Sequence, residues 1–186
     1  MKIAAITAQE LLDSRGNPTI EATVHLENGK EVSGMVPSGA STGRHEALEL
    51  RDKDPERYHG KGVLKAVRNI TEIIAPALAG FDVDKRRAID GRMIELDGTP
   101  NKSRLGANAI LAVSIACLRA GAIVHRKPFY EHVADLCGKP ADEPFVMPLP
   151  LINVLNGGKH ALNSSDFQEY MLVPAGAPSF AEASRW

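Results

Sequence analysis

The chain has 186 residues, room for one large domain or for one domain and part of another. Its 44 % hydrophobic residues suffice for a core, while 22 Lys plus Arg against 23 Asp plus Glu leave a formal net charge of -1. That balance argues against a nucleic-acid partner, which would call for a basic stripe. The two cysteines, Cys117 and Cys137, are too few for a disulfide scaffold, and no run approaches the ~18 apolar residues of a membrane span. Gln9 and Glu10 interrupt the apolar start, so no secretory pattern is visible and a cytoplasmic protein is expected.

The first third reads as strands. Ile3 to Ala8 is apolar-rich, and Asp13 to Pro18 is a dense cluster of turn residues. From Thr19 to Leu26 the pattern alternates, with Ile20, Ala22, Val24 and Leu26 on one side. Asn28-Gly29 predicts a two-residue hairpin turn with positive φ at both positions, and Glu31 to Val36 returns as the partner strand. These segments make a three-stranded antiparallel meander.

Helical spacing follows. Val63, Val67, Ile70, Ile74 and Leu78 share one face of a helix over 63–78, with Pro76 straining its last turn and Gly80 as a stop. Asp84 is the expected cap of a helix running to about Leu96, weakened by Gly91. The run Lys85-Arg86-Arg87 reads as its solvated first turn. The longest helix spans roughly Gly106 to His125 through Ile110, Val113, Cys117, Ala120 and Val124. A shorter one opens at Pro128 and closes at Gly138. Strands first and helices after predict an α+β domain over residues 1–139, a meander followed by a helical bundle.

Composition shifts at Lys139 to Pro150, where four prolines mark an extended connector. Leu151 to Leu155 and Gln168 to Val173 read as strands of a second body over 140–186. Ser179 and Glu182 have capping-box spacing. The helix they open has few residues before Trp186, which leads to the expectation of a truncated second domain.

Two loops of small residues carry the chemistry: Ser38-Gly39-Ala40-Ser41-Thr42-Gly43, and Asn156-Gly157-Gly158-Lys159-His160 with Gln168-Glu169 beyond it. Glycine lets backbone approach a ligand closely, and Ser, Thr, His and carboxylate supply donors, acceptors and metal ligands. A small, charged, oxygen-rich ligand suits them. Neither loop is a nucleotide P-loop, since Gly39 and Gly43 enclose three residues and Arg44-His45 follows. Asp52-Lys53-Asp54 is not a calcium loop, because Arg57 stands where glycine is required. Taken singly, His160 reads as a structural histidine and Gln168-Glu169 as exposed polar residues.

Six blocks taken together are more specific: DSRGNPT from Asp13, VPSGASTG from Val36, GKGV from Gly60, LDGTPNKSRLGANAILAVS from Leu96, LPLINVLNGGKHA from Leu149 and FQEYMLVPAGAPSFAEA from Phe167. In this order and spacing the chain resembles enolase, the phosphopyruvate hydratase, along its whole length. The resemblance implies reversible dehydration of 2-phosphoglycerate to phosphoenolpyruvate in glycolysis, with two Mg²⁺ ions and a homodimer. It implies that Ser38, Gly39, Ala40 and Ser41 belong to a loop closing over substrate, with Ser41 a ligand of the second Mg²⁺. His160 would approach the substrate phosphate, Gln168 would contact substrate, and Glu169 would handle the departing hydroxide or its water. His160 and Glu169 are thus the expected catalytic residues. Leu162 departs from the glycine or aspartate that many relatives carry there.

Enolase chains continue through a full α/β barrel. Their catalytic lysine, the three carboxylates of the first Mg²⁺ and a second acid/base glutamate lie, by resemblance, beyond Trp186. The chain alone is therefore expected to be inert. A non-catalytic binding module derived from enolase is the rival reading, and the SGAST and GGKHA segments speak against a sugar-acid dehydratase.

Overall fold

The computed structural model describes residues 1–39, 43–158, 161 and 163–186. The chain divides into two compact units, Met1–Gly138 and Lys139–Trp186.

In the first unit, β1 (Ile3–Leu12), β2 (Pro18–Leu26) and β3 (Glu31–Val36) form one antiparallel sheet in the order β1-β2-β3. The alternation in β2 is realised directly: Ile20, Ala22, Val24 and Leu26 are buried. β1 runs four residues past the predicted Ala8. Gln9 and Glu10 continue the ladder opposite Glu21 and Ile20, because partners across the sheet outweigh the loss of apolar character.

The β2–β3 turn corrects the expected geometry. Only Gly29 has positive φ, at 79°. Its N–H donates to Leu26 O at 2.9 Å, and the Leu26 N–H donates to Lys30 O at 2.8 Å. This is a type I turn closed by a left-handed glycine bulge, in which Asn28 keeps negative φ and its Oδ1 accepts from the Lys30 N–H at 3.1 Å.

The helix expected over 63–78 is wound in three pieces: α1 (Leu64–Arg68), a wider π-type segment (Asn69–Ile74) and α2 (Ala75–Leu78). At the joint the Ala75 N–H reaches Ile70 O, five residues back. The wider winding lies just ahead of Pro76, whose ring would crowd the carbonyl four residues earlier in a regular helix. The start of α1 is capped from a distance. Val63 N–H donates to Glu10 Oε2 at 2.8 Å, and the Leu64 and Lys65 amides donate to Asp52 at 2.9 and 2.8 Å.

α3 (Arg86–Asp97) starts one residue later than expected, with Lys85 rather than Asp84 at the cap position. Asp84 Oδ1 instead meets His125 Nε2 at 2.8 Å. Nor is the basic run simply solvated. The Arg86 side chain is 12 % exposed, and its Nη2 donates to Asp90 and to Ser114 Oγ. At the other end of α3, buried Asp97 accepts from the Thr99 and Leu105 amides at 3.0 and 2.7 Å. Burial pushes its carboxyl up, and those amides together with the Thr99 hydroxyl hold it below the usual carboxylate value.

α4 (Ala107–Val124) lies across β2 and β3 and is the spine of the core, with Ala109, Ala112, Val113, Ala116, Cys117 and Ala120 fully buried. Against the expectation that no run approaches a membrane span, α4 is long and apolar enough to cross a membrane, the only such helix among the described residues, and half of it is buried within this unit. Burial raises the Cys117 thiol to about 12, so it stays protonated and unreactive. α5 (Phe129–Leu136) follows, with Pro128 just before its first turn, and packs on α4.

In the second unit, β4 (Ile152–Asn156) and β5 (Glu169–Leu172) form an antiparallel pair, with Ile152 opposite Leu172 and Asn156 opposite Glu169. α6 (Phe180–Arg185) is capped by Ser179, whose Oγ accepts from the Glu182 N–H at 3.2 Å. The capping box is half formed: the Glu182 carboxylate pairs with Arg185 and the Trp186 indole.

Candidate active-site loops

The first small-residue loop leaves β3 at Val36. Ala40, Ser41 and Thr42 lie outside the described residues, whereas Ser38 and Gly39 are held by a polar network. Ser38 Oγ donates to Glu49 Oε2 at 3.0 Å, and the Ser38 carbonyl accepts from Arg15 Nη2 at 2.8 Å. Arg51 Nη2 donates to the other Glu49 oxygen at 2.6 Å, while its Nη1 donates to the carbonyls of Pro18 and Lys61. Lys61 Nζ closes the ring on Asn17 Oδ1 at 2.9 Å. These residues and Asp13 line a polar cleft of about 370 Å³ beside Ser38 and Gly39.

The cleft is shaped by the turn of the Asp13-Ser14-Arg15-Gly16-Asn17-Pro18 block. Asp13 Oδ1 accepts from the Asn17 and Arg15 amides, each at 2.8 Å. The Asn17 amide foremost, with that of Arg15, holds the Asp13 carboxyl below the usual carboxylate range. The turn is thereby rigid, and Arg15 is aimed at the base of the loop. Beyond Gly43 the chain has no regular structure until Tyr58, yet it is pinned to the start of α4. Leu50 N–H donates to Asn108 Oδ1 and Leu50 O accepts from Asn108 Nδ2, both at 3.0 Å, so buried Asn108 acts like one more backbone unit.

The second loop is described from Asn156 to Gly158, at Ala161, and from Asn163 onward, whereas His160 and Leu162 lie outside the described residues. Its parts from 157 and 168 do come together. Gly157 N–H donates to Gln168 O at 2.9 Å, and Gly158 N–H donates to Ser165 O at 2.7 Å. A Cβ at Gly157 would lie 2.5 Å from Ser165 O and collide with Phe167 O, so only glycine fits between these carbonyls. Glu169 opens β5 opposite Asn156, with its side chain exposed. The hairpin thus seats Gln168 and Glu169 beside the glycine pair.

The described residues contain no group of three His, Cys, Asp or Glu side chains arranged to hold a metal ion. Sequence reasoning missed Arg15, Glu49, Arg51 and Lys61 as the residues that fix the base of the first loop. Their signal was weak, because Glu49 reaches Ser38 from a segment without periodicity. The turn-rich block around Arg15 was the one hint.

A meander backed by helices, with a glycine- and serine-rich loop leaving its last strand, and a hairpin unit carrying a second such loop define a two-part α+β architecture with loop-borne chemistry. Residues 3–133 match the family described as enolase, N-terminal domain, and residues 144–186 match that described as enolase, C-terminal TIM barrel domain. The chain belongs to the enolase family.

Proposed function

We propose that this protein is an enolase, interconverting 2-phosphoglycerate and phosphoenolpyruvate in the cytoplasm as a homodimer, with Mg²⁺ as cofactor. The observation that carries this reading is the pair of family matches, N-terminal domain then barrel domain, in chain order along nearly all of the 186 residues. In this reading residues 1–139 are the first domain and 140–186 belong to the barrel domain.

The reaction removes a weakly acidic proton beside a carboxylate and expels hydroxide from the neighbouring carbon. Mg²⁺ would stabilise the negative charge that the substrate carboxylate gains when the proton leaves. Ser41 is the residue of this chain assigned to the metal, and one hydroxyl oxygen is far short of the six oxygens a hard cation takes. His160 and Gln168 would bind substrate, with Ser38, Gly39 and Ala40 covering it. Glu169 would take or give the proton of the departing water. Glu169 starts β5 opposite Asn156, next to the Gly157–Gln168 hydrogen bond that joins the two parts of the second loop.

A barrel takes about 250 residues, whereas the barrel match here covers 144–186. A polypeptide of these 186 residues alone is therefore expected to give no Mg²⁺-dependent absorbance change in a phosphoenolpyruvate assay, and robust turnover would refute the division of labour. In an enolase carrying the whole barrel, Glu169→Gln should lower kcat by about 10²-fold or more with unchanged melting. Ser41→Ala should raise the Mg²⁺ concentration needed for half-maximal rate. Equal losses of rate and stability in Glu169→Gln would reduce that residue to a structural one.

A further inference from the structure

A histidine pair outside both loops joins α5 to α4. His132, on α5, is 4 % exposed, and its Nε2 has no hydrogen-bond partner. It sits over Gly121 of α4, where a Cβ would lie 2.6 Å from that nitrogen. His125, at the end of α4, stacks on it with ring centroids 5.5 Å apart and planes at 22°. The charged groups that face His132 come from three sides. Asp84 precedes α3 and Arg86 opens it, His125 follows α4, and Asp135 belongs to α5 itself, where Lys127 pairs with it at 2.5 Å.

A neutral imidazole fits this place. A second proton would leave an N–H⁺ against Gly121, with no acceptor for it, under the stacked His125 ring and with the Arg86 guanidinium as a cationic neighbour. A buried donor without a partner costs free energy, and a buried charge costs more. Release of α5 would let water solvate that N–H⁺ and keep the proton on the ring.

We propose that His125 and His132 form a pH-operated latch, in which proton uptake by His132 releases α5 from α4 at the end of the first unit. Burial first, and the His125 ring second, hold His132 below its usual value of 6.5, against the opposing pull of Asp84 and Asp135. The open helix therefore binds more protons than the closed one. The latch is fully shut above the free-imidazole value and loosens as pH falls below it. For one proton, the opening equilibrium rises about tenfold per pH unit until the closed form also titrates.

The test is amide hydrogen exchange over Phe129–Leu136 in the 186-residue chain, from about pH 7.5 to pH 5.5, corrected for intrinsic rates. The expected result is a rise in opening approaching tenfold per unit below about pH 6.5, confined to α5 and the end of α4. His132→Gln should flatten it to under about twofold. His125→Gln, which removes the stacked ring and leaves the buried one in place, should reduce the acid response without abolishing it. This second variant keeps the test intact if His132→Gln does not fold. A flat wild-type profile would overturn the latch, as would a rise shared equally by β2 and α3, or one that neither variant alters.

Discussion

Gly34→Ala is expected to cost the first unit about 3 kcal/mol or more, at the upper end for overpacking. The reason is a backbone-to-backbone contact. A Cβ on Gly34 would stand 2.5 Å from Ala116 N and 2.7 Å from Ala112 O, inside the wall of α4. Neither atom belongs to a side chain that could rotate away, so β3 or α4 must shift as a body. Ala22, the cross-strand partner of Gly34 in β2, is itself fully buried, which leaves the sheet no slack. The alanines of α4 are the other half of the design, since Ala109, Ala112, Ala116 and Ala120 let the sheet come this close. Gly91, inside α3, is the control: a Cβ there meets nothing within 4 Å. Gly91→Ala should stabilise by roughly 0.5–1 kcal/mol through helix propensity. Urea unfolding followed by circular dichroism separates the two, with midpoints moving in opposite directions at a common slope. A Gly34→Ala protein as stable as the parent would mean that α4 does not lie on β3 as described.

These two glycines also mark what the amino-acid order reveals and what it conceals. Gly91 could be judged from sequence because helix propensity is local. Gly34 was only one position of the Glu31–Val36 strand, and its role exists only once α4, some eighty residues later, is laid across it. The same divide runs through the rest of the fold. β2 was legible because burial on one face imposes a period of two, and α4 because burial imposes its own spacing. Polar partnerships have no period. Asp84 has the residue type and position of a cap, yet it is drawn to His125; Arg86 reads as surface charge and is sequestered by Asp90 and Ser114. At the candidate site the division is similar. Gln168 and Glu169 were found with Gly157 because one hairpin returns them to it. The hold of Glu49, Arg15 and Arg51 on the first loop depends on a long irregular segment that no spacing rule reaches.

Glu10→Gln should cost about 2–3 kcal/mol at neutral pH, the magnitude of hydrogen bonds to a charged group, and the loss should fade in acid. Glu10 lies on β1 and looks from sequence like an interruption of an apolar strand. In the fold its side chain is 9 % exposed, and both of its oxygens are engaged. Arg57 donates to them through Nη1 at 2.9 Å and through Nη2, and Val63 N–H donates to Oε2 at 2.8 Å at the threshold of α1. One carboxylate thus ties the sheet to the irregular segment and to a helix start. Asp52 stands 3.7 Å from the same guanidinium and supplies the next two caps. Glutamine keeps the shape and can accept one of these bonds, but it loses the charge that Arg57 faces. The Arg57 hydrogen bond foremost, opposed by burial and aided by the Val63 amide, holds the Glu10 carboxyl below its usual value of 4.5. A depressed carboxyl contributes stability that is complete above the unfolded value and is lost as pH falls through the folded one. Parent and Glu10→Gln should therefore differ fully at pH 7, and the gap should start to narrow as pH falls below 4.5 and close once pH has passed the lower folded value. Stability curves measured as a difference between the two proteins cancel the titrating carboxylates remote from Arg57, such as Asp97. A gap that stays constant into acid would mean that packing, not charge, holds this junction together.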